Sequence, residues 1–258
     1  MSNTKVRYPA VEQFIDNNKD ALVRSVQEIV RFPSVEAPAA GPGAPFGEAV
    51  RGALENALNL GKSFGFETTN LDGYAGCIDY GCGEEMLGVV AHVDVVPEGE
   101  GWIHPPYAAE IADGRIYGRG TMDDKGPAVC AIYALAAIKA AGIPMRRRVR
   151  IILGTNEETG WGCMDHYRKV AEIPTLTFSP DADYPVVNSE KGIYHATMRC
   201  NAKTNIRING GTRANVVCGK VKAFVPVEIT EVEKHVSGIL AKGFGVCLLY
   251  TSPSPRDS

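Results

Sequence analysis

Histidine and carboxylate side chains concentrate in four short segments, each placed where a predicted strand or turn ends. In the first segment, the apolar run LGVVA leads directly into His92 and Asp94. These two side chains point to the same side of an extended chain because they are two positions apart. Imidazole is a good zinc ligand, and a nearby carboxylate can hold its second ring nitrogen. For this pair alone, a structural histidine bonded to an aspartate is the simpler interpretation.

The other three segments carry carboxylates. Asp123 and Asp124 precede a long apolar helix, and helix capping by Asp124 explains only one of the two. Glu157 and Glu158 follow a predicted strand, where their like charges repel unless a cation or solvent compensates. Asp181 follows the next strand along the chain. One imidazole with several carboxylates and no thiol suits Zn²⁺, Mn²⁺ or Co²⁺ and is unlike a structural zinc site.

Alternating helix and strand patterns are expected to bring these segments to one edge of a sheet, because open α/β sheets bind ligands beyond the carboxyl ends of their strands. The patterns predict an α/β fold with a mostly parallel central sheet flanked by helices. Strands 77–80 and 86–91 are expected to pair across a glycine-rich turn, and Asp113-Gly114 to form a hairpin. The predicted helices contain residues 15–29, 50–64, 127–141 and 163–170, and the predicted strands are 77–80, 86–91, 149–153 and 175–178.

Composition excludes several classes of protein. The chain has 258 residues, of which 45% are hydrophobic and 22% charged, as in an ordinary globular protein. Its net charge of −3 provides no basic surface for nucleic acid or membranes. No apolar run approaches the ~18 residues that span a bilayer. The seven cysteines include no Cys-x-x-Cys pair, and the N-terminus lacks an apolar signal core. These features predict a cytoplasmic protein.

Four motifs together carry a resemblance to a known family. They are GVVAHVDVVPEGEGW, GRIYGRGTMDDKGP, LGTNEETGWGCMDHY and FSPDADYPVVNSEKG, in that order. The sequence over residues 10–200 resembles the dinuclear zinc aminoacylase–carboxypeptidase–dipeptidase family of metallopeptidases, and within it the PepV-like dipeptidase branch. The resemblance implies a dipeptidase that hydrolyses the peptide bond of short, unblocked peptides with metal-activated water. Amidohydrolases of the same family, acting on N-acyl amino acids or on succinyl-diaminopimelate, are the alternatives.

The resemblance also implies which residues bind metal. His92 and Asp181 would bind one zinc, Glu158 would bind the other, and Asp123 would bridge the two. Mn²⁺ or Co²⁺ are possible substitutes for zinc. A bridging carboxylate holds two cations ~3.5–4 Å apart, where both can polarise the scissile carbonyl group.

Two further residues and one peptide bond complete the implied active site. Glu157 would be the general base that takes a proton from the attacking water. Asp94 would not bind metal itself but would orient the imidazole of His92 through the ring nitrogen that faces away from the metal. The peptide bond between Asp123 and Asp124 would be cis, which lets one carboxylate bridge both metals.

From about residue 192 onward, the hydrophobic pattern of the sequence differs from that of the preceding residues. Residues 1–191 are predicted to form the N-terminal portion of the catalytic domain, and 192–244 the incomplete beginning of an α+β lid domain. Residues 245–258 are predicted to be a non-native tail. Alternating patterns at 194–199 and 221–227 predict strands of the lid.

Members of the resembled family are longer than this chain. In them, a segment that returns from the lid supplies a final histidine ligand, and neither His195 nor His235 has a matching context. We therefore expect the chain to be truncated at its C-terminus. An inactive zinc-binding fragment of a dipeptidase is a further alternative. The patterns do not predict an oligomeric state.

Overall fold

The computed structural model describes residues 7–183, 187–189, 191–192, 194, 196–199, 201, 204–211 and 218–240. The chain divides into two units, residues 1–188 and 189–258. The assignment of the second unit to a lid domain stays a prediction. The helices are α1 (Pro9–Val30), α2 (Glu48–Ser63), α3 (Lys125–Ala140), α4 (Gly162–Val170) and α5 (Ile229–Leu240). The strands of the first unit are β1 (Glu67–Leu71), β2 (Ala75–Tyr80), β3 (Met86–His92), β4 (Glu110–Ala112), β5 (Arg115–Tyr117), β6 (Arg148–Gly154) and β7 (Leu176–Phe178).

Five strands of the first unit form one mixed sheet in the spatial order β1-β2-β6-β3-β7. β6, β3 and β7 run parallel to one another, whereas β1 and β2 are antiparallel to their neighbours. The predicted pairing of strands 77–80 and 86–91 is wrong, because β6 lies between β2 and β3 and bonds to both. Both β2 and β3 gain β6 as a hydrogen-bonded neighbour. The glycine-rich turn between them in the sequence gives no indication of this third strand.

Helices cover both faces of this sheet. Ile151 of β6 belongs to the main core together with Val26 of α1 and Ile132 of α3. The next residue, Ile152, packs on the opposite face with Tyr167 of α4. Successive side chains of a strand point to opposite faces, so a continuous apolar run requires cover on both. The predicted fold class, a central sheet flanked by helices, is confirmed.

The short hairpin of β4 and β5 is also confirmed. The two strands are antiparallel, and they are joined by Asp113 and Gly114 with φ angles of 50° and 71°. Two consecutive residues with positive φ are what a two-residue hairpin turn requires. The hairpin precedes the loop that leads into α3.

The second unit contains β8 (Arg207–Gly210) and β9 (Val221–Phe224), which pair antiparallel, followed by α5. β9 falls within the predicted strand 221–227, but the described residues of 194–199 form no strand. Alternation satisfies only part of what a strand needs, because its backbone must also bond to a neighbour. His195 and the predicted tail 245–258 lie outside the described residues. None of the helices in the described part of the chain has the length and apolar character of a membrane span.

Candidate metal centre

The parallel strands β3, β6 and β7 end at the same edge of the sheet. Their register places His92 opposite Gly154 and Val89 opposite Phe178. The segments that follow β6 and β7 therefore begin close to His92. Asp181, three residues beyond Phe178, needs only a short turn to reach the imidazole.

Three side chains converge at this edge: His92, Asp123 and Asp181. Nε2 of His92 lies 3.0 Å from Oδ1 of Asp123 and 3.3 Å from Oδ2 of Asp181. One possible ligand atom from each residue lies within 4.8 Å of the other two. Donor atoms around a tetrahedral zinc lie about 3.3–3.6 Å apart, given zinc–ligand distances of about 2.0–2.2 Å. The donor types therefore suit a zinc ion or a similar cation, and the two distances from Nε2 of His92 are close to this spacing.

A tight loop delivers Asp123 to the site. Its peptide bond with Asp124 is cis, which confirms the geometry that the family resemblance implies. The loop also requires glycine at position 126, the second residue of α3, because a Cβ there would lie 2.1 Å from the carbonyl oxygen of Thr121. Asp124 precedes α3 without making a capping hydrogen bond, and its Oδ2 instead accepts the main-chain N–H of His92 at 3.1 Å. Asp124 thus ties the loop to the end of β3 and does not cap the helix through its side chain.

Asp94 is only 1% exposed and contacts two parts of the site. Nδ1 of His92 lies 3.0 Å from the main-chain oxygen of Asp94 and 3.4 Å from its carboxylate. Because a carbonyl oxygen can only accept, Nδ1 carries the proton of this bond and Nε2 faces the other carboxylates. The Asp94 carboxylate accepts the main-chain N–H groups of Glu157 and Glu158, each at 3.1 Å. Its nearest partners are therefore in the loop between β6 and α4.

The two glutamates occupy different places around this group. Glu157 lines the same cavity as His92 and Asp181. Oε1 of Glu158 accepts the main-chain N–H of Val96 at 3.3 Å, and Glu158 stands outside the group of three. The predicted residues thus gather at one edge of the sheet, while their individual roles in binding and catalysis stay predictions.

Carboxylates dominate the electrostatics of the site. Burial alone would lower the pKa of His92, but hydrogen bonds to carboxylates, with Asp123 foremost, raise this pKa well above its usual range. The same contact lowers the pKa of Asp123. Burial and the neighbouring acids raise the pKa of Glu157, and they raise that of Glu158 to about 7. A bound cation would relieve this mutual repulsion.

Lys125 is a buried charged residue that the motif analysis does not single out. It is fully buried, and its Nζ donates a 2.7 Å hydrogen bond to the main-chain oxygen of Phe32. Burial lowers the pKa of Lys125 to about 7, against the opposing influence of the Asp94 charge. The sequence feature that could have indicated a buried Lys125 is its position directly after two aspartates, since a buried charge needs an opposite charge nearby.

A cavity of about 350 Å³ opens beside the three converging residues. His92 and Asp181 form part of its polar wall, and Trp161, Met164 and Phe178 contribute apolar surface. Trp161 is 54% exposed and has a φ of 60°, a left-handed conformation at the start of α4. The site therefore combines charged groups with an apolar surface, as binding sites for small organic molecules do.

Zinc binding is expected to release at least one proton at neutral pH. In the metal-free chain the raised pKa keeps His92 protonated at this pH, whereas a histidine that binds zinc must be neutral. Zinc affinity should therefore rise about tenfold per pH unit from about pH 6.5 to 8. Calorimetry in buffers of different ionisation enthalpy counts the protons. His92→Ala should remove this release, and the partly exposed His104→Asn should not. A zinc affinity that is independent of pH would contradict the expectation.

The class of protein follows from comparison of this chain with known families. The model of "Peptidase family M20/M25/M40" matches residues 88–242, which is more than half of the chain. The matched region begins in β3 and includes all three converging side chains. The chain belongs to this family of peptidases.

Particular relatives are bacterial proteins named as dipeptidases. The chain is 46% identical over 216 residues to "Putative dipeptidase YtjP" of Bacillus subtilis (strain 168), covering 80% of this chain and 47% of that protein. It is 38% identical over 221 residues to "Beta-Ala-Xaa dipeptidase" of Lactobacillus delbrueckii subsp. lactis, covering 85% and 46%. The chain spans about half the length of the curated relatives it matches.

Solved structures share the fold. Human carnosine dipeptidase 1 matches with a TM-score of 0.54 and 24% identity, over 62% of this chain and 37% of that chain. The dipeptidase Dug1p of Saccharomyces cerevisiae matches with a TM-score of 0.53 and 22% identity, over the same shares of the two chains. At these identities the likeness supports the fold class alone.

Proposed function

We propose that the protein containing this chain is a zinc-dependent dipeptidase that hydrolyses the peptide bond of short, unblocked peptides. The observation that carries the proposal is the convergence of His92, Asp123 and Asp181 beside a cavity that Glu157 also lines. The names of two relatives, at 46% and 38% identity, support dipeptides as the substrate class. The activity is proposed for the whole protein, since this chain spans about half of those relatives.

The proposed metal ligands are divided between two zinc ions. His92 and Asp181 would hold one zinc, Glu158 would hold the other, and Asp123 would be shared. When bound, the zinc ions lower the pKa of a water molecule and polarise the scissile carbonyl group. The Nδ1 contact of His92 with the main chain supports His92 as a ligand, because it leaves Nε2 to bind metal. The same side chains can also bind Mn²⁺ or Co²⁺. The identity of the metal as zinc is therefore itself part of the proposal.

Glu157 is the proposed general base. It lines the cavity with His92 and Asp181, which supports its access to a water molecule held there. Burial raises the pKa of its carboxyl group, and a raised pKa makes the carboxylate a better base near neutral pH. After attack, the same group can deliver its proton to the leaving amine.

We also propose a cytoplasmic location. The five described cysteines are free thiols, and Cys77 and Cys163 are buried. Reduced cysteines packed inside a domain are typical of proteins in reducing compartments.

The test of the proposed function uses a full-length version, meaning the sequence continued over the length of its relatives. Zinc-loaded protein should hydrolyse dipeptides and leave N-acyl amino acids and succinyl-diaminopimelate unchanged. Removal of the metal by a chelator should lower the rate by at least ~10²-fold, because several kcal/mol of transition-state stabilisation are lost. Added zinc should restore it. Rates measured after reloading with Mn²⁺ or Co²⁺ test the preference for zinc.

Two variants sharpen this test. His92→Ala should lose both metal and turnover, whereas His104→Asn should retain both, because His104 instead bonds Glu110. Preference for an acylated amino acid over every dipeptide would contradict the proposal. Turnover that survives complete removal of metal would contradict it as well.

A further inference from the structure

The Asp94 carboxylate joins the end of β3 to the loop between β6 and α4. Each of its two oxygens accepts one main-chain N–H: Oδ1 from Glu157 and Oδ2 from Glu158, both at 3.1 Å. The two donors are consecutive along the chain, so the carboxylate holds their backbone at two neighbouring points. This arrangement concerns the backbone of the two glutamates and is separate from the contact with His92.

The segment that bears Asp94 is firmly held. The main-chain N–H of Val93 donates to Gly154, and the hydroxyl of Ser34 donates to the main-chain oxygen of Val93 at 2.6 Å. The N–H of Val95 donates to the main-chain oxygen of Ser34 at 3.0 Å. These hydrogen bonds fix the backbone on both sides of Asp94, so its side chain can position another segment.

The loop that receives these hydrogen bonds has further hydrogen bonds on both sides of the glutamates. The Thr155 hydroxyl lies within hydrogen-bonding distance of the main-chain oxygens of Gly73 and Tyr74. Beyond the glutamates, the main-chain N–H of Trp161 donates to the main-chain oxygen of Asn156 at 2.8 Å. Loss of the Asp94 carboxylate would therefore remove one main-chain hydrogen bond from each glutamate without breaking these other bonds of the loop.

The Asp94 carboxylate is buried beside the imidazole of His92. The carboxylate is 1% exposed, and an uncompensated buried carboxylate would be costly. Nδ1 of His92 lies 3.4 Å from it. A carboxylate oxygen is a stronger hydrogen-bond acceptor than a neutral oxygen, so the two N–H groups are firmly held.

We propose that Asp94 is a positioning residue that sets the placement of Glu157 and Glu158 by binding their main-chain N–H groups. Its effect on catalysis rests on the proposed function, because only there is Glu157 the base and Glu158 a metal ligand. A small displacement of either side chain would matter, since productive geometry in active sites is held within fractions of an ångström. The effect on the backbone does not depend on that function.

The first test is amide hydrogen exchange in the metal-free 258-residue chain, measured residue by residue by NMR. Asp94→Ala should accelerate exchange at Glu157 and Glu158 by roughly 10- to 100-fold, as expected for losing hydrogen bonds to a charged group. Asp94→Asn should accelerate exchange at only one of the two, because its amide nitrogen cannot accept a hydrogen bond. The amide of Trp161 serves as an internal reference that should not change.

Asp79→Asn is the matched control. Asp79 is a partly buried carboxylate of the same sheet that pairs with Arg150 at 2.7 Å, four residues before Gly154 ends β6 and the loop begins. This variant should leave exchange at Glu157 and Glu158 unchanged. Asp94→Asn keeps the size of the side chain and carries the test if Asp94→Ala does not fold. Unchanged exchange at both glutamates in the folded Asp94 variants would overturn the proposal, as would uniform acceleration over the whole chain.

The second test is steady-state kinetics of the full-length version. Asp94→Ala should lower kcat by at least ~10²-fold with KM changed less than about threefold, and Asp94→Asn should lie between it and the unmodified protein. Asp79→Asn should keep the original kcat. If kcat falls while exchange at the glutamates is unchanged, Asp94 acts through His92 and the proposal is wrong. If the full-length version hydrolyses no peptide, the proposed function fails while the exchange result still decides the backbone role.

Discussion

Replacing Glu157 with Gln is expected to lower dipeptide turnover by ~10²–10⁴-fold while leaving the zinc content of the full-length version nearly unchanged. The amide of Gln has almost the same size and can still hydrogen-bond, but it cannot take a proton at neutral pH. Glu157 lines the cavity beside the three converging side chains and stands outside their group. Its removal should therefore affect proton transfer and spare metal binding. Turnover and metal content of the same dialysed sample are the two measurements.

Glu85→Gln is a suitable control, because Glu85 is an exposed carboxylate that pairs with Arg147 at 2.7 Å. It should keep both turnover and zinc. If Glu157→Gln loses metal and activity in equal proportion, Glu157 is a ligand and the division of roles between the two glutamates is wrong.

The 258-residue chain, expressed by itself, is expected to hold one zinc far more tightly than a second and to hydrolyse no dipeptide at a measurable rate. The first zinc has an imidazole and two carboxylates that already lie together, with Nε2 of His92 3.0 Å and 3.3 Å from its two partners. A second zinc would share Asp123 with Glu158, and two carboxylates without an imidazole form a weak zinc site. The chain spans about half the length of its relatives, and the loss of groups that position a substrate can remove ~7–11 kcal/mol of barrier reduction.

Metal analysis of dialysed protein, together with a dipeptide hydrolysis assay, checks this expectation. The full-length version measured in parallel should retain two zinc ions and hydrolyse the same peptides. Two tightly held zinc ions and ordinary turnover in the 258-residue chain would refute the prediction. In that case a further ligand, for which His195 and His235 are the candidates, completes the second site.

The order of motifs along the chain was sufficient to predict the α/β class and the side chains that meet at one sheet edge. The run LGVVA is continuously apolar because strand β3 is covered on both faces. Such a run predicts a central strand, but it does not show which strands lie beside it. Local turn chemistry was equally informative, since Asp113 and Gly114 form the hairpin that their residue types favour. Interactions within a few residues of each other thus indicated most of the elements, although they did not predict β1 and α1 begins earlier than expected.

Which elements become neighbours was decided only by the tertiary structure. β6 enters between β2 and β3, although nothing in residues 77–91 indicates that a strand from 148–154 will separate them. The same assembly turns the Asp94 carboxylate toward the amides of Glu157 and Glu158, and Asp124 toward the amide of His92. The residue types show that these aspartates need partners. Their partners are backbone groups that every residue carries, so only the spatial proximity created by folding selects them.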